Sequence, residues 1–158
     1  LPQSLDTSVA SSPYFHGFLA SQVKANDRGF LSKDILVSDL ISLRGDIHHL
    51  FPKDYLKKNG LDRSKYNQIA NYVYMQSEIN IKVGNKPPKD YFEVVTTQML
   101  NGNQLVSGLS NEQQLLDNLK MNCVPTEIQH MSIDDYNDFL TLRRKLMATK
   151  IKEYYHAL

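Results

Sequence analysis

The chain has 158 residues, 41% of them apolar and 22% charged, and its formal net charge is +1. That length suits one domain with a real core, and the composition is that of an ordinary globular protein. Apolar runs of only a few residues exclude a bilayer-spanning helix, and Cys123 as the single cysteine excludes an internal disulfide or a cysteine-rich zinc site.

Taken in chain order, Ser12-Pro13 reads as a helix N-cap followed by proline at the first helical position. Apolar residues at Tyr14, Phe15, Phe18, Leu19 and Val23 continue that helix to Lys24, and Asn26-Asp27-Arg28-Gly29 ends it. Residues 35–43 fit either a helix or an extended segment. Gly45 breaks the chain before Asp46-Ile47-His48-His49-Leu50-Phe51-Pro52. Pro52 opens a short helix that stops at Asn59-Gly60, and Asp62 is placed to cap a second one running to Ile69. Asn71-Tyr72-Val73-Tyr74-Met75 is rich in β-formers and reads as a strand. Ser77 then reads as an N-cap, which puts Asn80 in the first turn of the next helix. Gly84 and Pro87-Pro88 end that helix, and Pro88 starts another. The last third reads as helical. Ser110 caps a helix carrying Leu115, Leu116 and Leu119, and Ser132-Ile133-Asp134-Asp135 resembles a capping box. In the final helix Arg143, Arg144, Lys145, Lys150 and Lys152 fall in the C-terminal half, where the helix dipole favours cations.

Charge is unevenly spread. The segment from Lys53 to Lys89 carries eight basic and three acidic residues, while the remainder of the chain is net acidic. A surface that faces phosphates needs such a local excess. Taken alone, the same excess is what a solvated, lysine-rich loop shows.

Three features fall in or beside this basic stretch: the His48-His49 pair, Asn71 opening a strand, and Asn80 nine positions later in a helix. Phosphodiester hydrolysis needs an attacking water, a general base, and positive charge on the phosphate and the leaving oxygen. A neutral histidine suits the base, and a second histidine with an amide oxygen can hold a divalent ion with open positions. Adjacent strand residues face opposite ways, so one histidine serves as ligand and the other as base only at a strand end. A lone His-His pair is more often structural, and the ordered asparagines behind it are what promote it.

Asp46-Ile47-His48-His49-Leu50-Phe51-Pro52-Lys53, Asn71-Tyr72-Val73-Tyr74-Met75 and Ser77-Glu78-Ile79-Asn80-Ile81-Lys82 together resemble the HNH (ββα-metal) endonuclease signature. The resemblance implies His48 as first metal ligand, His49 as general base, Asn71 as the structural asparagine and Asn80 as second ligand. The implied cofactor is one divalent metal, Mg²⁺ first; many members carry Asp where His48 stands, and a histidine there favours a softer transition ion, which makes Mn²⁺, Ni²⁺ or Zn²⁺ the alternatives. Asp46 is a candidate partner that orients a histidine, or a turn residue after Gly45. Lys53, Lys82 and Lys86 are candidate phosphate contacts, and His16, His130 and His156 receive no role.

Residues 30–92 and the tail from Tyr136-Asn137-Asp138-Phe139-Leu140 through Met147 also resemble one branch of that family. It is the C-terminal HNH region of proteins with a ParB/sulfiredoxin-like NTPase domain in their N-terminal half, as in GmrSD-type type IV restriction systems. The expectation is therefore an α+β, mostly helical domain with an embedded ββα-metal element. Residues 1–44 form an N-terminal helical part, 45–92 the ββα-metal core and 93–158 the C-terminal helices. The expected activity is metal-dependent cleavage of DNA by the nuclease module of a restriction or phage-defence protein. A homodimer is one route to double-strand cleavage. A start at Leu1 instead of Met predicts a fragment, with the NTPase domain missing upstream. The lack of a charged-then-apolar leader and the lone cysteine predict a cytoplasmic protein with no membrane partner. The alternative is a non-catalytic nucleic-acid-binding or assembly module that needs the missing domain.

Overall fold

A computed structural model describes residues 1–43, 45, 47–103 and 106–158. The fold is α+β: mostly helical, with one small antiparallel sheet of two strands, β1 (Ile47–His49) and β2 (Tyr72–Tyr74). The helices are α1 (Pro13–Lys24), α2 (Val37–Ser42), α3 (Lys53–Lys58), α4 (Arg63–Tyr66), α5 (Ser77–Val83), α6 (Pro88–Asn101), α7 (Glu112–Met121) and α8 (Tyr136–His156). Among the described residues no helix is long and apolar enough to cross a membrane.

Local signals placed most of these elements. The Ser12 hydroxyl accepts from the Tyr14 amide at the start of α1, with Pro13 in the first turn. The ambiguous stretch after Ile35 resolves as α2. Asp62 caps α4 through the Lys65 amide, but α4 ends at Tyr66. A 3-10 turn at Ile69–Asn71 then leads into β2. Ser132 and Asp135 form the expected capping box before α8.

Two expected caps are displaced by one residue. Gln76, not Ser77, is the N-cap of α5, and its Oε1 accepts from the Ser32 hydroxyl at 2.6 Å. Asn111, not Ser110, caps α7 by accepting from the Gln114 amide. In both places the neighbouring residue has the extended backbone that a cap requires.

Two apolar clusters flank the sheet. The larger gathers Phe30, Phe51, Tyr91, Phe92 and Phe139, and includes Val73 of β2 with Ile79 and Val83 of α5. The smaller lies between α1 and α8, with Leu5, Phe15, Phe18, Met147 and Ile151, and includes Tyr72 of β2. Successive side chains of β2 thus enter different cores, as the two-residue period of a strand demands. The register pairs Ile47 with Tyr74, His48 with Val73 and His49 with Tyr72. Ile47 packs on the smaller cluster, so His49 shares its side of the sheet and His48 lies on the side of the larger one.

A buried asparagine secures the far end of β2. Asn118 of α7 accepts the Leu31 amide at 2.8 Å and donates to the Gly29 and Ser32 carbonyls, both at 3.1 Å. Leu31 has a φ of 62°, in the left-handed region, and the Phe30 amide of the same turn donates to the Tyr74 carbonyl at 2.9 Å. Replacing Asn118 with Ala strands two buried backbone groups, the Leu31 amide and the Ser32 carbonyl, and leaves the Gly29 carbonyl with the Ser32 amide alone. We expect a loss of about 3 kcal/mol in unfolding free energy, read from the urea midpoint at unchanged slope.

Candidate functional site

His48 and His49 occupy the last two positions of β1, where the chain turns toward Pro52 and α3. The segment behind them is fixed atom by atom. The Leu50 amide donates to the Asn71 carbonyl at 2.9 Å, and the Leu50 carbonyl accepts from the Tyr91 hydroxyl at 2.8 Å. The Phe51 amide donates to Asn71 Oδ1 at 2.8 Å, and the Phe51 carbonyl accepts from Asn71 Nδ2 at 3.1 Å. Asn71 Nδ2 also faces the Tyr66 carbonyl at 3.4 Å, and the residue is fully buried. Every backbone polar group of Leu50 and Phe51 therefore has a partner, two of them on one side chain. Asn71 thus joins the start of β2 to the exit of β1.

Beyond the knot, the Phe51 ring lies 5.1 Å from Tyr136 and 5.0 Å from Phe139 between centroids. Those contacts tie the strand exit to α8.

The His49 ring is half-buried. Its Nε2 lies 2.9 Å from Asn67 Oδ1, and its edge meets the Tyr72 ring at 5.4 Å between centroids. An acceptor oxygen at Nε2 selects the tautomer that carries its proton there, which leaves the lone pair on Nδ1. Burial pushes the His49 pKa down from its ordinary 6.5. The charges of Lys53 and His48 push the same way, against the Asn67 hydrogen bond. The imidazole is neutral at pH 7 and able to take a proton.

His48 stands beside His49 in β1, and Asn71 immediately precedes β2. Asn80 is half-buried on α5, the helix that β2 feeds into directly, and follows Ile79, which packs in the same cluster as Val73. The chain thus runs strand, long connection, strand, helix. Among the described residues no group of three or more His, Cys, Asp or Glu could hold a metal. His48 lies on the side of the sheet whose apolar cluster includes Ile79 and Val83 of α5, the helix that carries Asn80. Asp46 lies outside the described residues.

The three lysines are exposed. Lys53 opens α3 beside the histidines, its Nζ 5.6 Å from the centroid of the Tyr66 ring. Lys82 lies on α5 and Lys86 in the turn after it.

Asn67, Tyr91 and Arg143 were not singled out from the sequence. Nothing in Tyr66-Asn67-Gln68 marks Asn67 as a histidine partner, because the contact depends on how α4 ends. Arg143 stands in the sequence only as one of five cations in the last helix, and it is fully buried.

No protein-family model matches the chain, and no solved structure matches it. The chain is 27% identical over 116 residues to an uncharacterized protein of the archaeon Methanocaldococcus jannaschii. The match covers 67% of this chain and 20% of that protein, so the chain spans only a small part of its relative's length.

Two outcomes follow from this geometry. Asn71→Ala removes three side-chain bonds from buried carbonyls and an amide, and should cost about 3–4 kcal/mol of unfolding free energy in chemical denaturation. In metal-free protein, the His49 ring should titrate below 6.5 in ¹H–¹⁵N spectra. The sign for stability follows from linkage. The unfolded chain binds the proton first, so the His49 contribution is complete above pH 6.5 and falls as pH drops toward the lower folded value.

Proposed function

We propose that this chain is a metal-dependent nuclease domain that hydrolyses DNA phosphodiester bonds. The observation that carries the reading is the placement of His48-His49 at the end of a strand whose antiparallel partner leads straight into the helix bearing Asn80. The Asn67 contact, which leaves the lone pair of a neutral His49 on Nδ1, adds to it. So does the basic excess between Lys53 and Lys89.

In this mechanism His49 Nδ1 takes a proton from a water molecule as its oxygen attacks phosphorus. The bond from phosphorus to the 3′ oxygen breaks, the 3′ oxygen leaves and takes a proton from solvent, and the product carries a 5′-phosphate. Asn67 holds the imidazole in the tautomer that accepts the proton. Lys53, Lys82 and Lys86 place positive charge where the DNA backbone would run. His48 and Asn80 would hold one divalent ion, which supplies positive charge for the phosphate and the leaving oxygen.

One site cuts one strand, so double-strand cleavage calls for a dimer or repeated nicking. The family analogy makes the domain the cleavage module of a restriction or phage-defence protein, working with an NTPase domain elsewhere in the protein. The archaeal relative is far longer than the match, which favours a domain that works inside a larger assembly. In the second reading, the basic segment binds DNA and cleavage is absent without the rest of the protein.

The test is plasmid nicking with Mg²⁺, Mn²⁺, Ni²⁺ and Zn²⁺ supplied separately. Wild type should nick in at least one, EDTA should abolish the activity, and His49→Ala should lower it by about 100-fold or more. If both proteins are folded and equally inert with every ion, the catalytic reading fails. Salt-dependent DNA binding without EDTA-sensitive cleavage would then support the binding module.

A further inference from the structure

Arg143 heads the largest fully buried side chains of the protein, and among the described residues no carboxylate pairs with it. Its neighbours are main-chain oxygens. Nη1 donates to the Ala70 carbonyl at 2.9 Å and the Tyr72 carbonyl at 2.5 Å, and Nη2 donates to the Asn122 carbonyl at 3.2 Å. The guanidinium carbon sits 5.8 Å from the Phe18 ring centroid. Burial lowers its pKa to about 10, so it stays charged at neutral pH.

Burying a charge without a counter-charge is costly, and an aliphatic residue would fill the same space at less cost. A packing role therefore does not account for arginine here. The guanidinium supplies a rigid fork of donors that can reach several carbonyls at once. Two of its three targets, the carbonyls of Ala70 and Tyr72, flank a single residue, Asn71. Asn71 is the residue whose side chain grips both backbone groups of Phe51. Tyr72 is the register partner of His49 and packs on its ring. The fork thus fixes the main chain on both sides of the asparagine while the asparagine fixes the histidine strand.

We propose that Arg143 is a positioning residue for the His48-His49 strand: from α8 it clamps the carbonyls on either side of Asn71, and so holds Asn71 against Phe51 and Tyr72 against His49. The significance for catalysis rests on the nuclease reading above. The clamp itself can be tested without cleavage.

The experiment compares wild type and Arg143→Lys, which keeps the charge and loses the fork, by native-state hydrogen exchange and by steady-state plasmid nicking. The Leu50 and Phe51 amides, both bonded to Asn71, should exchange about tenfold faster in the variant or more. The Leu31 amide, bonded to Asn118, should keep its rate. Equal acceleration at Leu31, or no acceleration at Leu50 and Phe51, overturns the proposal. If Arg143→Lys does not fold, wild type alone decides. The Arg143 guanidinium protons should share one opening free energy with the Leu50 and Phe51 amides, and different values overturn the clamp. Where wild type cleaves, Arg143→Lys should lower kcat by about 10- to 100-fold with KM nearly unchanged. A raised KM at wild-type kcat overturns the positioning role. If folded wild type is inert with every ion, the nuclease reading fails, and the exchange comparison still decides the clamp.

Discussion

A strand of three residues makes too few ladder hydrogen bonds to persist in water by itself, and an isolated pair of strands is marginal even when longer. The His48-His49 pair sits on such a strand. Its geometry is therefore set by what surrounds the sheet. The Asn71 side chain extends the pairing past the last residue of β1 by bonding both backbone groups of Phe51. Tyr91 from α6 takes the Leu50 carbonyl, and the rings of Tyr136 and Phe139 from α8 hold Phe51. Helices distant in sequence thus converge on four residues. Most of the precision at the histidines is tertiary in origin, and local propensity contributes little.

The electrostatics follow the same division. The half-buried cations of α8 find carboxylates, with Arg144 near Asp6 and Lys150 on Asp27. Arg143, the residue before Arg144, enters the core and is met by three carbonyl dipoles and the Phe18 ring. Carbonyls compensate a cation without adding a titratable group, so this anchor does not change with pH across the neutral range. His49 lies at the other limit. It is buried enough to resist protonation, while a single amide oxygen fixes its tautomer. The sheet end thus carries a buried, carbonyl-bound cation on α8 and a neutral, oriented imidazole in β1.

Legibility in the sequence tracked how local each cause was. The caps at Ser12 and Asp62, the stop at Gly60 and the box at Ser132 depend on a few adjacent residues, and the sequence showed them. The strand at Tyr72 was legible from its β-formers, and Asn71 from its place before them. The caps at Gln76 and Asn111 were missed because the adjacent serines are the commoner cap type, while backbone conformation selects the neighbour. Asn67 and Arg143 were missed for a stronger reason. Their partners lie 18 and about 70 positions away along the chain, and no periodicity carries that information.

The same sheet gives two adjacent histidines different surroundings. Val73 and Tyr72 point into different cores, and the register transfers that alternation to β1. His48 therefore lies on the side of the cluster that includes α5, and His49 on the side of Tyr72 and Asn67. A one-residue slip would exchange the two, sending His49 toward the helix and His48 toward Asn67. The backbone groups of Leu50 and Phe51, held by Asn71 and by Tyr91, resist such a slip because every one of them would lose its partner together. The asparagine knot thus preserves the distinction between the histidines as well as the fold around them, and the fork of Arg143 acts on the residue at its centre.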